Sequence, residues 1–256
     1  MLLAIDSGNT NIVFGVHDGA AWRGIWRSTT KGDRTADELA VWMMQLFDMK
    51  GLKRRAVDAA AIANVVPSND FSLRSLCRDH FGVEPLVIGD ADVRPGIELL
   101  TDAPEEVGAD RIANAVGAFA AHGGPLIVID FGTATTLDVV DGAGNYCGGA
   151  IAPSAAHSVD ALHRAAAQLP RIDVRRPPAV IGTATVPAMQ SGVYWGYVGL
   201  IEGLVRRTRE EFGAPMKVVA TGGLAETFCA ATDAIDVQDP DVTLRGLLEI
   251  HARNRA

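Results

Sequence analysis

The chain has 256 residues, of which 48% are hydrophobic and 21% charged, so it suits one large or two smaller globular domains. Its formal net charge of −8 argues against a nucleic-acid partner, since phosphate backbones are bound by clustered lysine and arginine. Three scattered cysteines without a CxxC pair indicate a reducing compartment and no zinc site. With no apolar stretch of membrane-spanning length, the sequence predicts a soluble cytoplasmic protein without a membrane partner.

The first part of the chain alternates between predicted strands and helices. Three short strands come first, at residues 2–5, 12–16 and 20–27. The next elements are a helix, a strand, a helix and a strand, predicted over residues 35–51, 59–66, 68–81 and 85–88. This order is typical of a mixed α/β domain.

A further helix is predicted from about Gly108, because the apolar residues that follow have helical spacing. An acidic residue in a first turn is ordinarily a partner of the helix dipole, and this accounts for Asp110 without any function. Arg111 is unusual, since a cation near the positive end of a helix is unfavourable unless an anion binds there. The pair therefore predicts a general base, Asp110, beside an anion clamp, Arg111.

The second half of the chain repeats the opening of the first. Strands are predicted at residues 126–130, 135–140 and 146–151. Four residues of the first strand and turn recur 124 positions later as identical pairs, Leu2/Leu126, Ile5/Ile129, Asp6/Asp130 and Gly8/Gly132. The sequence therefore predicts a duplication.

In each copy a buried strand ends on an aspartate, and a glycine follows two residues later. A carboxylate at a strand end can hold a metal ion, and a glycine lets the backbone approach a phosphate closely. The hydroxyl and amide side chains that follow can donate to phosphate oxygens. A pair of plain hairpin turns would look similar for one copy, but recurrence at matched positions favours phosphate binding.

The remaining elements complete the second half. An alanine-rich helix is predicted over residues 154–167, and a long amphipathic helix over 186–212 whose aromatic residues indicate burial against another subunit or in a core. A strand at 217–220 runs into residues 221–223, which suit either close approach of a nucleotide or a plain turn. A terminal helix is predicted over 242–253.

Several common motifs are absent from the sequence. It contains no GxxxxGK[ST] and no GxGxxG after a strand, which argues against P-loop and Rossmann nucleotide sites. HExxH and GxSxG are also absent, which argues against metalloprotease and hydrolase chemistry.

Four segments together carry a resemblance to a known family: Asp6-Ser7-Gly8-Asn9-Thr10-Asn11, Gly108-Ala109-Asp110-Arg111, Asp130-Phe131-Gly132-Thr133-Ala134-Thr135-Thr136 and Thr221-Gly222-Gly223. In this order, over essentially the whole chain, they resemble type III pantothenate kinase. The resemblance implies the acetate and sugar kinase, Hsp70 and actin superfamily. Its α/β fold has two duplicated ribonuclease H-like domains with mixed sheets flanked by helices. We expect these domains at residues 1–117 and 118–256, the second with a dimerisation helix.

The resemblance also implies an activity. The expected reaction is ATP-dependent phosphorylation of pantothenate to 4'-phosphopantothenate, the first step of coenzyme A biosynthesis. Magnesium would accompany ATP, and a monovalent cation, K⁺ or NH₄⁺, would be required. The protein is expected to be a homodimer.

Roles carry over to individual residues as expectations of the resemblance. The first phosphate loop would comprise Asp6, Ser7, Gly8, Asn9, Thr10, Asn11, Ile12 and Val13, with Thr133 as a further ATP contact. Asp110 would be the general base. The substrate would be held by Gly108, Ala109, Asp110 and Arg111, and by Thr185 from the neighbouring subunit. Asp130 would ligate the monovalent cation.

Some residues depart from the family pattern, and they cluster on the acceptor side. They are Thr101, Ala103, Ser154, Thr183 and Ala184. Two alternatives therefore stay open: a kinase of the same fold for another small hydroxyl compound, or a non-catalytic regulatory relative that binds nucleotide. Retention of Asp6, Asp110, Arg111 and Asp130 argues against the non-catalytic relative, because a pure binding module needs no base.

Overall fold

The computed structural model describes residues 1–32, 34–165 and 169–255. The chain forms two compact units, the first comprising Met1–His122 with Asp241–Ala256 and the second comprising Gly123–Pro240. The expected domains at 1–117 and 118–256 differ from these units in the position of the boundary and in the placement of the terminal helix. Residues 166 and 167 of the expected alanine-rich helix lie outside the described residues.

The predicted strands and helices occur in the expected order, and the structure adds a short strand, Val237–Gln238, that the pattern did not predict. The strands are β1 Leu2–Ser7, β2 Asn11–His17, β3 Trp22–Thr29, β4 Ala59–Asn64, β5 Pro85–Val87, β6 Leu126–Phe131, β7 Ala134–Val140, β8 Tyr146–Pro153, β9 Lys217–Gly222 and β10 Val237–Gln238. The helices are α1 Ala36–Met49, α2 Asp70–Ser75, α3 Ala109–His122, α4 Ala155–Ala165, α5 Thr185–Phe212, α6 Ala225–Cys229 and α7 Val242–Asn254. The helix expected over 68–81 consists of two parts, because the π-helical segment Leu76–Phe81 continues directly from α2.

Each unit contains one five-stranded mixed sheet, and the two sheets share one topology. In the first unit the strand order is β3-β2-β1-β4-β5, and in the second it is β8-β7-β6-β9-β10. The first three strands of each unit are antiparallel neighbours, whereas the central strand pairs in parallel with β4 or β9. The predicted duplication and the ribonuclease H-like fold class are therefore confirmed.

The central strand of the first unit is buried on both faces. Leu3 and Ile5 pack with residues of α1, while Leu2 and Ala4 pack with α3 and α7. Alternate residues of a strand face opposite sides, so a strand between two helical layers needs apolar residues at successive positions. This explains the uninterrupted apolar run before Asp6.

Helix α7 belongs to the first unit because it crosses α3 at very close range. A Cβ on Gly246 would lie 1.8 Å from the Ala113 carbonyl oxygen, and a Cβ on Gly117 would lie 2.1 Å from the Val242 carbonyl oxygen. Only glycine allows this approach. Nearby, the Thr243 hydroxyl donates to the side-chain oxygen of buried Asn114 at 2.6 Å.

The core of the second unit is rich in aromatic rings. Phe228 stacks on Phe131 with ring centroids 5.3 Å apart, and α5 adds Tyr197 at 4.8 Å and Tyr194 at 5.8 Å from Phe228. Tyr194 and Tyr197 are both buried within the unit. The core interpretation of these two residues is therefore correct. No helix in the described ranges is long and apolar enough to cross a membrane.

Candidate functional site

The first strand-end turn connects β1 to β2. The Gly8 backbone N–H donates to the Asn11 carbonyl oxygen at 3.0 Å, and the Thr30 hydroxyl donates to the Gly8 carbonyl oxygen at 2.6 Å. The backbone of the turn is therefore held from two sides. The three residues after Gly8 are exposed, namely Asn9, Thr10 and Asn11. They carry the amide and hydroxyl side chains that the sequence analysis assigned to phosphate binding.

Ser7 is held in place by Asn69, a residue that is distant in the sequence. The Asn69 side-chain N–H donates to the Ser7 hydroxyl oxygen at 3.1 Å, and both residues are buried, with Asn69 5% exposed. A buried polar pair of this kind is stable only when its hydrogen bond is made. Because the two residues are 62 positions apart, no local pattern indicates the contact.

Asp110 lies in the first turn of α3 and is half-buried. Its Oδ1 accepts a hydrogen bond from the Arg111 backbone N–H at 2.8 Å. A Cβ on Gly108 would lie 2.6 Å from the same oxygen, so glycine makes room for the carboxylate. Ala109 is buried beside it, and Arg111 is half-buried.

Burial raises the pKa of the Asp110 carboxyl, an effect that the Arg111 N–H and the Arg111 charge partly oppose. A raised pKa makes a carboxylate a stronger base. A raised carboxyl pKa suits general-base catalysis, since proton transfer is most efficient when the pKa of the base is near the operating pH.

The first turn and Asp110 lie at the same end of the first unit's sheet. The Val65 backbone N–H, just beyond β4, donates to the Ser7 carbonyl oxygen at 3.0 Å, and a Cβ on Gly108 would contact Val65 at 3.6 Å. Strands β1 and β4 are parallel, so both carboxyl ends meet there. Ligands of open α/β sheets bind at this edge.

The second strand-end turn follows β6 in the second unit. Asp130 is half-buried and pairs in the sheet with Thr136 on one side and Thr221 on the other. Gly222 has φ +91°, and a Cβ there would lie 2.6 Å from Asp130 Oδ1. The segment at residues 221–223 therefore lies against the aspartate, and its glycine makes this contact possible.

Thr133 lies in the turn itself and is half-buried, whereas Thr135 behind it is 1% exposed. The Tyr197 hydroxyl makes a hydrogen bond with the Thr135 hydroxyl and lies 3.2 Å from the Pro153 carbonyl oxygen. Burial raises the pKa of Tyr197. Sequence reasoning recognised Tyr197 only as part of an apolar stripe, because its polar partner is 62 positions away.

Thr185 begins α5 and is exposed. It lines a cavity of about 890 Å³ between α4 and α5, whose walls include Leu162, Met189 and Tyr197. Thr183 and Ala184 precede it and are also exposed. The structure therefore brings Thr185 next to an apolar cavity of the second unit.

Three of the departures from the family pattern lie in the following surroundings. Ser154 caps α4, since its hydroxyl oxygen accepts from the His157 backbone N–H at 3.2 Å. Thr101 is half-buried, and its hydroxyl oxygen has no hydrogen-bond partner among the described residues. Ala103 is half-buried just before the turn at Pro104–Glu106.

The carboxylates at the strand ends are suited to a divalent cation that is bound together with the phosphates of a ligand. Within the described residues no three histidine, cysteine or acidic side chains cluster closely enough to enclose a metal. Magnesium is usually bound by one or two carboxylates together with substrate phosphates. The strand-end carboxylates Asp6 and Asp130, one in each unit, are half-buried, and each is by itself an oxygen donor of this kind.

Comparisons with known proteins agree across the chain. A family model described as type III pantothenate kinase matches residues 2–207. A type III pantothenate kinase of Paramagnetospirillum magneticum is 63% identical over 254 residues, covering 99% of this chain and 98% of that protein. Another, from Rhodospirillum rubrum, is 62% identical over 255 residues and covers 100% of this chain and 99% of its own length.

A solved structure shares the fold at low sequence identity. A Sinorhizobium meliloti protein assigned as a 2-dehydro-3-deoxygalactonokinase superposes with a TM-score of 0.62 at 13% identity. The match covers 99% of this chain and 96% of that one. At this identity the similarity concerns the fold alone.

Proposed function

The chain belongs to the type III pantothenate kinase family, and we infer that it transfers the γ-phosphate of ATP to pantothenate, giving 4'-phosphopantothenate in the first step of coenzyme A biosynthesis. The observation that carries this inference is the 63% identity to a type III pantothenate kinase over 99% of the chain. ATP is used with a divalent metal ion.

We propose that Asp110 is the general base for this transfer. It would take the proton of the pantothenate hydroxyl as the hydroxyl oxygen attacks the γ-phosphorus, while ADP leaves. The raised pKa of its carboxyl, caused mainly by burial, supports this role. The glycine at position 108 is consistent with it, because a Cβ there would lie 2.6 Å from Asp110 Oδ1 and would displace the carboxylate from this orientation.

The first strand-end turn is the proposed phosphate site for ATP, formed by residues 6–13 with Thr133 as a further contact. The exposed side chains of Asn9, Thr10 and Asn11 and the fixed backbone at Gly8 support this assignment. Phosphoryl transfer depends chiefly on positioning and on neutralising charge, and a rigid turn rich in donors supplies positioning.

The acceptor is assigned to residues 108–111 and to Thr185. Arg111 would pair with the pantothenate carboxylate, since a guanidinium binds a carboxylate through two parallel hydrogen bonds. In the proposed assembly Thr185 comes from a neighbouring subunit. A second candidate is a kinase of the same fold for another small hydroxyl compound, and the observation behind it is the Thr101 hydroxyl, which has no hydrogen-bond partner among the described residues.

Asp130 is the proposed ligand of a monovalent cation, K⁺ or NH₄⁺. Its carboxylate lies against the backbone of Gly222 at the end of β6. Hard cations are bound by carboxylate and carbonyl oxygens, so this setting suits such an ion.

A homodimer is proposed from the apolar surface of the second unit. Large hydrophobic side chains are exposed on β8, on α4, before α5 and in its first turn, namely Ile151, Leu162, Val180, Ile181 and Val186. Exposed apolar side chains grouped on neighbouring elements mark protein contacts. The cavity that Thr185 lines opens among the same elements, so one assembly would cover both.

The assay for the proposed function uses purified protein with ATP, Mg²⁺ and a panel of hydroxyl acceptors that includes pantothenate. Mass spectrometry would identify the product, with Na⁺ replacing K⁺ or NH₄⁺ in parallel reactions. We expect 4'-phosphopantothenate, with turnover that depends on K⁺ or NH₄⁺. Phosphorylation of a different acceptor would favour the second candidate, and ATP binding without any product would point to a non-catalytic relative.

A further inference from the structure

The buried hydroxyl of Tyr197 lies directly behind the second strand-end turn and has no part in the chemistry proposed above. Tyr197 is 5% exposed on α5, and its hydroxyl is hydrogen-bonded to that of Thr135, which is 1% exposed. The same hydroxyl lies 3.2 Å from the Pro153 carbonyl oxygen at the end of β8. The contact therefore joins α5 to the edge of the turn.

Tyr197 contacts both residues that form the base of this turn. Phe131 and Thr135 are paired across β6 and β7, and residues 132–134 connect them. The hydroxyl of Tyr197 holds Thr135, while its ring lies 6.4 Å from the Phe131 ring. A shift of this side chain would therefore move the base of the turn on both sides.

A phenylalanine would fill the same space in the aromatic core. Burying a hydroxyl is unfavourable unless it is hydrogen-bonded, so the oxygen contributes only through its partners. Tyr194, one turn earlier on α5, packs against Phe228 in a similar way. Its hydroxyl, however, lies 3.5 Å from the Thr227 carbonyl oxygen, which is outside the turn and its base. The two tyrosines therefore form a matched pair.

We propose that Tyr197 is a positioning residue, which acts through Thr135 to hold the turn at residues 132–134 in the conformation that receives ATP. This rests on the proposed function, because the assignment of Thr133 to ATP comes from there. Tyr197 itself touches neither ATP nor the reacting atoms in this account.

The test is the dissociation constant for ATP with Mg²⁺, measured by titration calorimetry in the absence of pantothenate. We expect Tyr197→Phe to bind ATP about threefold to tenfold more weakly, which corresponds to the loss of one buried hydrogen bond. Tyr194→Phe should stay within about twofold of the wild type. Melting temperatures of both variants report any general loss of packing.

A double-mutant cycle tests whether the effect passes through Thr135. If it does, the double variant with Tyr197→Phe and Thr135→Val binds ATP no more weakly than whichever single variant has the lower ATP affinity. The proposal is wrong if Tyr197→Phe binds like the wild type, if Tyr194→Phe weakens binding equally, or if the two single losses multiply in the double variant.

Pantothenate phosphorylation by the wild type, measured on the same preparations, separates this inference from the proposed function. If the wild type binds ATP but does not phosphorylate pantothenate, the proposed function fails while the affinities still decide the role of Tyr197. If the wild type binds no ATP, both fail.

Discussion

Asp110, the proposed general base, lies in an environment that opposes its charge. Burial raises the pKa of its carboxyl above the ordinary value for aspartate. Below its pKa the group is protonated and cannot accept a proton. We therefore expect kcat/KM to fall on the acid side at a pH where exposed aspartates are still ionised, and a pH–rate profile would show this.

The same shift determines the effect of Asp110 on stability. Because the folded-state pKa is raised, the stabilising contribution is present at low pH and is lost as the pH rises through that value. Ionised Asp110 therefore destabilises the fold at neutral pH. Asp110→Asn should melt at the same temperature as the wild type or higher, and a clearly lower melting temperature would contradict the burial argument.

Asn69 illustrates what sequence patterns cannot reveal at the residue scale. The sequence pattern placed Asn69 only near the start of the helix predicted over 68–81, whereas its side chain donates to the distant Ser7 hydroxyl oxygen. We expect Asn69→Ala to lower the free energy of unfolding by about 1–3 kcal/mol, since it leaves a buried hydroxyl without its donor. Urea unfolding would measure this change. The adjacent Ser68→Ala, at an exposed position, should stay within about 0.5 kcal/mol, and equal losses in both variants would refute the assigned contact.

At the scale of the element, local pattern predicted most strands and helices. The two triplets of strands and the long helix α5 follow from apolar periodicity and turn residues, and their order is confirmed. The placement of α7 did not follow. Its contact with α3 joins residues that lie more than a hundred positions apart, and it depends on two glycines, Gly117 and Gly246, whose close contacts no local pattern indicates.

The crossing of α3 and α7 leads to a test at Gly246. Alanine is the better helix former by about 1 kcal/mol, but here its Cβ would lie 1.8 Å from the Ala113 carbonyl oxygen. We therefore expect Gly246→Ala to destabilise the fold by about 1–3 kcal/mol in denaturant unfolding. Gly199→Ala, where a Cβ meets nothing within 4 Å, should have the opposite sign. A stabilising Gly246→Ala would show that the helices are not this close.

For the whole molecule, four identical residue pairs in the sequence predicted the duplicated topology. They give no information about how copies of the chain assemble. Exposed apolar residues before and in α5 support a dimer, and Ile181 is 83% exposed. Ile181→Asp should convert a dimer to a monomer in analytical ultracentrifugation, because an unpaired charge cannot be buried at an apolar contact. Phe71→Asp is the matched control in the first unit, since Phe71 is 80% exposed there.

If the Ile181→Asp protein sediments like the wild type, this apolar surface is not the dimer contact. A monomeric Phe71→Asp protein would place the contact on the first unit instead. Activity measured on the same samples would test the proposed role of the partner's Thr185, since a monomer should lose affinity for pantothenate while it keeps its affinity for ATP.

Pantothenate phosphorylation by Asp110→Asn tests whether Asp110 is the general base, when it is compared with the wild type and with Asp102→Asn at a nearby exposed position. We expect kcat to fall by about 100- to 10,000-fold in Asp110→Asn, with ATP affinity retained, and to stay near the wild-type value in Asp102→Asn. Wild-type turnover in the Asp110→Asn protein would remove Asp110 from the mechanism and contradict the account.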